Sequence, residues 1–384
     1  MKKPLPLTDH TKHPFKIIVG RKALHAILST LKPAVDPRTS TWLLKCVRID
    51  AKAGPLGLGS LTFTCTTGEI VAQREMQAVV AKEGSACVPY AALVRFLSVM
   101  PDEDVALEID GDGLKVSTHT IERVFKDALG SEEFPALVAP EGAAVYEMPW
   151  EVFARIVRLS SRNMSRDGHR RILCGMFFSG SGDIVATDAH RLSCVKAEPG
   201  TASFLMMDET VRALVAAKPG PDARLRLFAR EGFISAEICW EDAARFSQVA
   251  IPGQYPNYQR VIPDGHTKSY RLDAALLNGA IVRCMTVAGD NANRCRLNFK
   301  DTECTLSARS EESGNFSERV PMVAQMSTDP FEIAVNGHYM LDYLASVAGA
   351  DWIELRGTES SRPSTFHAED YDDFTFVVMP MALA

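Results

Sequence analysis

The chain has 384 residues, a formal net charge of −6, and 46% hydrophobic against 23% charged residues. That length supports two to four domains with their own cores, and the acidic balance excludes a wholly basic surface but not a local basic face. No apolar run approaches the roughly 18 residues of a membrane-crossing helix, and the nine scattered cysteines, without a C-x-x-C pair, fit reduced cytosolic thiols better than disulfides or zinc.

In chain order, residues 1–14 read as a loose polar leader, with prolines where a signal peptide would carry its apolar stretch. Phe15–Val19 predicts a strand that leads directly into a helix over Arg21–Leu31. Leu24, Ile27, Leu28 and Leu31 form the apolar stripe of that helix, and Arg21, His25 and Lys32 lie on its other side. Gly54–Ser60 is glycine-rich but lacks the lysine and strand-to-helix context of a phosphate loop, so it reads as a turn. Val88–Val99 predicts a second helix. Asp110-Gly-Asp-Gly113 then joins strands Val105–Ile109 and Leu114–Ser117.

The same order returns from Tyr146. A strand over Tyr146–Met148 leads into a helix over Glu151–Ser161, and Ser179–Asp183 turns a hairpin between Met176–Phe178 and Ile184–Ala186. A second helix spans Asp208–Ala217, followed by strands Leu225–Ala229 and Phe233–Cys239 about Arg230–Gly232. It returns again from Tyr270, with strand Tyr270–Leu272, helices Ala274–Met285 and Asn336–Val347, and a last strand pair about the loop Arg356–Ser364. The three openings are 131 and 124 residues apart. Recurrence at a near-fixed period marks a repeated architecture. The expected fold class is therefore α+β, with three similar domains of two helices plus antiparallel sheets at 15–140, 145–266 and 267–384. The joints fall near Ala139–Ala144 and Pro263–Lys268.

The basic residues recur with the repeat. On the second unit's first helix Arg155, Arg158 and Arg162 share a face, opposite Val152, Ile156 and Leu159, and Arg166, Arg170 and Arg171 follow. The third unit has Arg283 on its helix, with Arg294 and Arg296 after it. Taken singly these are ordinary solvated faces. Taken together they suggest a surface that attracts phosphate without reading bases.

Motifs of catalysis are missing: there is no G-x-x-x-x-G-K-[ST], H-E-x-x-H or G-x-S-x-G. Asp188 and His190 would share one face of an extended segment, with Arg191 on the other. No nucleophile or metal cluster adjoins them in sequence, which favours a structural or peptide-binding role over general-base chemistry. No cofactor or metal is implied. The chain ends on Phe374-Thr-Phe-Val-Val-Met-Pro-Met-Ala-Leu-Ala384, where Pro380 should stop the strand near Val378 or Met379. On its own this tail is either a strand plugging the core or, through its two adaptable methionines, the wall of a peptide groove.

Several separated motifs then converge. Leu173–Phe178 with Ala186–Leu192, Ile251–Pro263, Asn336–Leu344 and Val377–Met381 resemble segments of the bacterial DNA polymerase III β subunit, with a weaker echo at Gly130–Leu137. The resemblance spans Phe15 to Leu383. It implies a head-to-tail homodimer whose six domains close a ring around duplex DNA, helices inside, with the first unit's edge near Glu122–Ala128 meeting the third unit. It also implies a hydrophobic groove that docks short apolar peptides of polymerase subunits, the clamp loader and repair proteins. The matching groove positions are Leu173, Thr187, Ala189, His190, Arg191, Leu192, Pro256, Arg260, Val261, Asn336, Tyr339, Val377, Val378, Met379, Pro380 and Met381. The DNA-facing positions it suggests are Arg38, Arg155, Arg158, Arg162, Arg170 and Arg171. With the resemblance, the two readings of the tail merge: the strand packs to Val378 and the Met-Pro-Met part receives ligands. Ala189 stands where glycine or serine is usual, Ala292 or Asn293 near a position often aromatic, and Ala382 in place of a common basic residue. Ala384 extends the tail. The alternatives are a clamp-like peptide scaffold that does not close on DNA, and a cytosolic hydrolase using Asp188 and His190.

Overall fold

The computed structural model describes residues 16–110, 113–126, 134–138, 141–239, 244–325, 327 and 329–383. The leader and Phe15, the centre of the Asp110–Gly113 turn, residues 139–140 of the first joint, and Ala384 lie outside them. So do residues 127–133, which hold Asp127 and Ala128 of the expected dimer edge and Gly130–Glu133 of the weaker echo.

Among the described residues the element order repeats three times as strand, helix, four strands, helix, three strands. The first pass is β1 (Lys16–Gly20), α1 (Arg21–Thr30), β2 (Cys46–Ala53), β3 (Leu58–Thr66), β4 (Ile70–Lys82), β5 (Gly84–Pro89), α2 (Tyr90–Val99), β6 (Asp104–Asp110), β7 (Gly113–Ser117) and β8 (Glu122–Phe125). The second is β9 (Tyr146–Pro149), α3 (Trp150–Ser160), β10 (Gly175–Phe178), β11 (Asp183–Thr187), β12 (Arg191–Lys196), β13 (Phe204–Met207), α4 (Asp208–Ala216), β14 (Arg224–Arg230), β15 (Phe233–Cys239) and β16 (Ala244–Val249). The third is β17 (Lys268–Asp273), α5 (Ala274–Ala288), β18 (Arg294–Lys300), β19 (Glu303–Ser310), β20 (Gly314–Gln325), β21 (Phe331–Asn336), α6 (Gly337–Ser346), β22 (Trp352–Gly357), β23 (Ser364–Ala368) and β24 (Phe374–Val378).

The chain divides into two compact units that cut across this repeat. One takes the described residues up to Phe153 together with Glu209–Ala250, and the other takes Ala154–Asp208 and the described residues from Ile251 on. Each unit holds one large antiparallel sheet, which makes the fold α+β as expected. In the first unit the order is β8-β7-β6-β1-β4-β16-β15-β14-β9, with β3 branching from β4, β2 beside β3 and β5 beside β2. In the second it is β13-β10-β11-β12-β24-β23-β22-β17-β20-β19-β18-β21.

Successive repeats are therefore joined by strand pairing. β16 of the second pass pairs with β4 of the first, from Ala244 against Arg74 to Gln248 against Ile70. β24 of the third pairs with β12 of the second, from Arg191 against Val378 to Val195 against Phe374. The ladder hydrogen bonds satisfy backbone groups that an open edge would leave to water.

The helices follow their apolar spacing. α1 buries Leu24, Ile27 and Leu28. α3 buries Phe153, Ile156 and Leu159, whereas Val152, placed beside them by the wheel, is 42% exposed. Phe153 lies three residues before Ile156 and six before Leu159, so it takes the inward place. Asp273 caps α5 by accepting from Leu276 N at 2.8 Å. In the second unit Tyr343, Phe366, Phe374 and Phe376 are fully buried and pack edge and face. Gly175 admits no side chain, because a Cβ there would run into the Met206 carbonyl oxygen across the β10–β13 pair.

Phe376→Ala should cost about 3–5 kcal/mol, since the site is fully buried and its ring lies 4.9 Å from that of Tyr343. A urea unfolding curve should show the loss; a midpoint equal to that of the native chain would contradict this packing.

Candidate functional site

The site is built in the second unit, where β12 and β24 lie side by side. Leu192 of β12 and Val377 of β24 are cross-strand partners, and both are buried with Leu173 in one core cluster. Above them lies a cavity of about 200 Å³. Leu173, Thr187, Ala189, Arg191, Leu192, Pro256, Val261, Val377 and Met379 line it, joined by Asn257 and Tyr258. Its surface is mainly apolar, with a few polar groups at the rim, which suits an aliphatic side chain held in one orientation.

The 187–191 segment is a tight turn rather than the extended run expected. Thr187 Oγ1 donates to Arg191 O at 2.6 Å and accepts from Ala189 N at 3.1 Å. Asp188 Oδ1 accepts from both His190 N at 2.9 Å and Arg191 N at 3.0 Å. These side chains replace ladder bonds and fold the backbone back on itself. Ala189 consequently sits at φ 77°, in the left-handed region. The Asp188 carboxylate is also bound by Arg191 Nε at 3.0 Å. Asp188 is thus the organiser of the turn, and it meets His190 through the backbone N–H while the histidine side chain stands exposed. This arrangement removes the geometric ground for the hydrolase reading.

Arg191 is the centre of the rim. Only 9% exposed, it donates Nη1 to Asp342 Oδ2 at 2.7 Å and Nη2 to the Arg162 carbonyl. Its guanidinium lies 4.4 Å from the centre of the Tyr339 ring. Burial, with the nearby Asp188 charge, pushes the Tyr339 phenol above its ordinary pKa. A buried guanidinium needs such matched partners, so this network holds the turn against α6.

The other expected groove residues are arranged around the cavity without lining it. Met379 N donates to the His190 carbonyl at 2.9 Å, and Met381 N donates to Ala334 O at 2.7 Å. The tail is therefore held on both sides of Pro380, with Met379 38% exposed. Val378 is fully buried as the last residue of β24, where the proline was expected to end the strand. Asn336 caps α6, accepting from His338 N at 2.9 Å. Arg260 is exposed at the turn Tyr258–Arg260. Ala292 and Asn293 adopt left-handed φ of 52° and 57° before β18, away from the cavity lining. Asn257 and Tyr258 were not among the expected groove residues although they stand inside the Ile251–Pro263 motif; the aromatic at 258 was the available signal.

The basic helix faces differ from the expectation. Arg155 forms an ion pair with Asp373, and a hydrogen bond to that carboxylate raises its pKa. Arg158 Nη1 donates to Ser346 O at 2.6 Å and to Tyr371 Oη at 3.2 Å. Arg162 Nε lies 3.7 Å from Asp342. The corresponding cations of the other first helices are also answered, Arg21 by Asp102 at 3.5 Å and Arg283 by Glu318. Arg38 is exposed in its loop, Arg170 is exposed with Asp167 at 3.4 Å, and Arg171 is exposed. The helix faces thus carry less net positive charge than their arginines suggest.

Comparison with known proteins adds the lineage. The family described as DNA polymerase III beta subunit matches through its N-terminal domain at residues 15–138 and its C-terminal domain at 259–382. A beta sliding clamp of Synechococcus elongatus is 26% identical over 382 residues, covering 96% of this chain and 99% of that protein. One from Pseudomonas aeruginosa is 24% identical, covering 95% and 99%. Among solved structures, a sliding clamp from Bartonella birtlesii, described as bound to griselimycin, aligns with a TM-score of 0.87 at 20% identity, covering 97% of this chain and 100% of that one. The DNA polymerase III beta subunit of Thermotoga maritima aligns at 0.85 and 20% identity, covering 96% and 100%.

Ala189→Gly should stabilise the chain by about 0.5–1 kcal/mol, because relief of a left-handed alanine exceeds the entropy that a glycine loses on folding. Chemical denaturation would register the gain; a loss would mean that the turn depends on the methyl group.

Proposed function

The chain belongs to the DNA polymerase III beta subunit family, and on that premise we propose that it is a sliding clamp. It encircles duplex DNA without reading sequence and tethers polymerase and other partners through the groove. The three repeats, 15–140, 145–266 and 267–384, are its clamp domains. It acts in the cytoplasm and has no catalysis of its own.

The observation that carries this reading is the pairing pattern of the repeat. The last strand of the second pass pairs with the third strand of the first quartet, and the last strand of the third pass does the same to the second quartet. β8 is the equivalent strand of the first pass, and among the described residues it pairs with β7 alone. Its equivalent acceptor is β20, whose Gly314–Pro321 half pairs, among the described residues, only with β19. By the rule of the repeat, β8 of one copy adds to β20 of another, and two such contacts close a head-to-tail dimer. An open edge of this kind is otherwise a liability.

Within such a ring, retention on DNA is topological, so weak and diffuse contact suffices. Arg38, Arg158, Arg162, Arg170 and Arg171 are the contacts we propose, with Arg155 acting more weakly because Asp373 answers its charge. The groove takes short apolar peptides, and griselimycin is a suitable probe for it. Protein loaded on circular DNA should be retained and should be released when the circle is cut; equal retention on both forms would end the ring reading and leave the peptide scaffold.

Light scattering should give twice the chain mass of 42.1 kDa for the native protein. Val124→Asp, at a β8 position 41% exposed in the single chain, should return the mass to that of one chain without unfolding it. Deleting Met379–Ala384 should abolish griselimycin binding and spare the dimer; loss of the dimer would instead assign the tail to the core.

A further inference from the structure

The ring of Tyr258 walls one side of the cavity, yet it stands on a stretch with little regular structure. Between the end of β16 at Val249 and the start of β17 at Lys268, the turn Tyr258–Arg260 is the one helical element. Backbone bonding around it is slight, with Val261 N donating to Tyr258 O at 3.0 Å. A binding wall on a loop is held in place only if tertiary contacts fix it.

Two contacts do so. The ring lies tilted 6.3 Å from Phe177, which itself stacks on Tyr255 at 4.5 Å. The hydroxyl donates to Asp183 Oδ2 at 2.8 Å. Asp183 opens β11 and is only 5% exposed, and its other carboxylate oxygen accepts from Lys196 Nζ, on its cross-strand neighbour in β12. The Lys196 side chain is 67% exposed, so the ion pair spans from solvent to the buried hydroxyl. A carboxylate this deep is costly unless its oxygens are matched, and nothing in a strand buried at all five positions requires one. Burial and then the Asp183 bond raise the Tyr258 phenol above its ordinary pKa, so it remains a donor at neutral pH.

We propose that Asp183 is a positioning residue for the peptide groove, acting through the Tyr258 hydroxyl, with Lys196 holding the carboxylate in place. This rests on the groove reading. The braced ring presents a fixed wall to an aliphatic side chain entering between Leu173 and Val261.

A double-mutant cycle with griselimycin as probe, read by calorimetry on the full-length protein, tests it. Tyr258→Phe keeps the ring and removes the hydroxyl, and Asp183→Ala removes the acceptor. Each should weaken binding by about 5-fold to 10-fold, the usual effect of one hydrogen bond. The double variant should be no weaker than Tyr258→Phe alone, because that variant already breaks the bond that Asp183→Ala removes. Losses that multiply would give Asp183 a general structural role and overturn the proposal. Asp183→Asn keeps an oxygen towards the hydroxyl but turns its amide N–H towards Lys196, so it should recover part of the affinity lost in Asp183→Ala; an affinity no better than that of Asp183→Ala would also overturn the proposal. Should Asp183→Ala not fold, Tyr258→Phe decides alone, and unchanged affinity would sink the idea. If the native chain itself does not bind the probe, the groove reading fails first.

Discussion

The antiparallel pairing of β12 with β24 is the constraint on which the site depends. It puts Leu192 against Val377 and Arg191 against Val378, residues that the chain keeps far apart. Without it the apolar tail would be an exposed strand edge, and the turn at Thr187–Arg191 would face no second wall. With it, one set of ladder bonds both seals the core and creates the cavity. The cavity floor is accordingly the top layer of the core cluster, so its shape is as stiff as the packing beneath it.

Around that floor, polar side chains do the positioning. Asp188 turns the backbone and binds Arg191, while Arg191 reaches Asp342 on α6. Asp183 meets Tyr258 across the other side. Each is a mostly or partly buried charge with matched partners, and each such bond is stronger in this setting than it would be in water. The bonds that commit Asp188 to the turn and to Arg191 also explain why it and His190 do not make an acid–base pair.

The charge pattern shows where counting residues misleads. Arg21, Arg155 and Arg283 occupy the first helix of their repeats, but each meets a carboxylate from elsewhere: Asp102, Asp373 and Glu318. Plotting one helix on a wheel cannot reveal partners supplied by distant strands and loops. An acidic chain can in this way carry many arginines on its helices with a modest local field.

Much of the fold was legible in the sequence because it is local. Apolar periodicity placed α1 to α6 with their ends within three residues; Val88 and Pro89 end a strand before α2, and α5 runs on past Met285 to Ala288. Pro380 marked the end of the last strand at Val378, since proline cannot continue a ladder. Periodicity could not choose Phe153 over Val152 as the buried residue of α3, nor show that Asp188 bends its segment. The motifs brought together Leu173, Leu192, Val261 and Met379 as candidates, but not Tyr258, whose place depends on a bond to Asp183. Sequence by itself determined the six helices, part of the strands, their threefold order and the end of the last strand, because these follow from side-chain spacing and backbone chemistry; strands β2–β5 and β18–β21 were not placed. Only the tertiary structure decided which strands join the repeats, which cations are neutralised and how the cavity is walled, because those are contacts between residues distant along the chain.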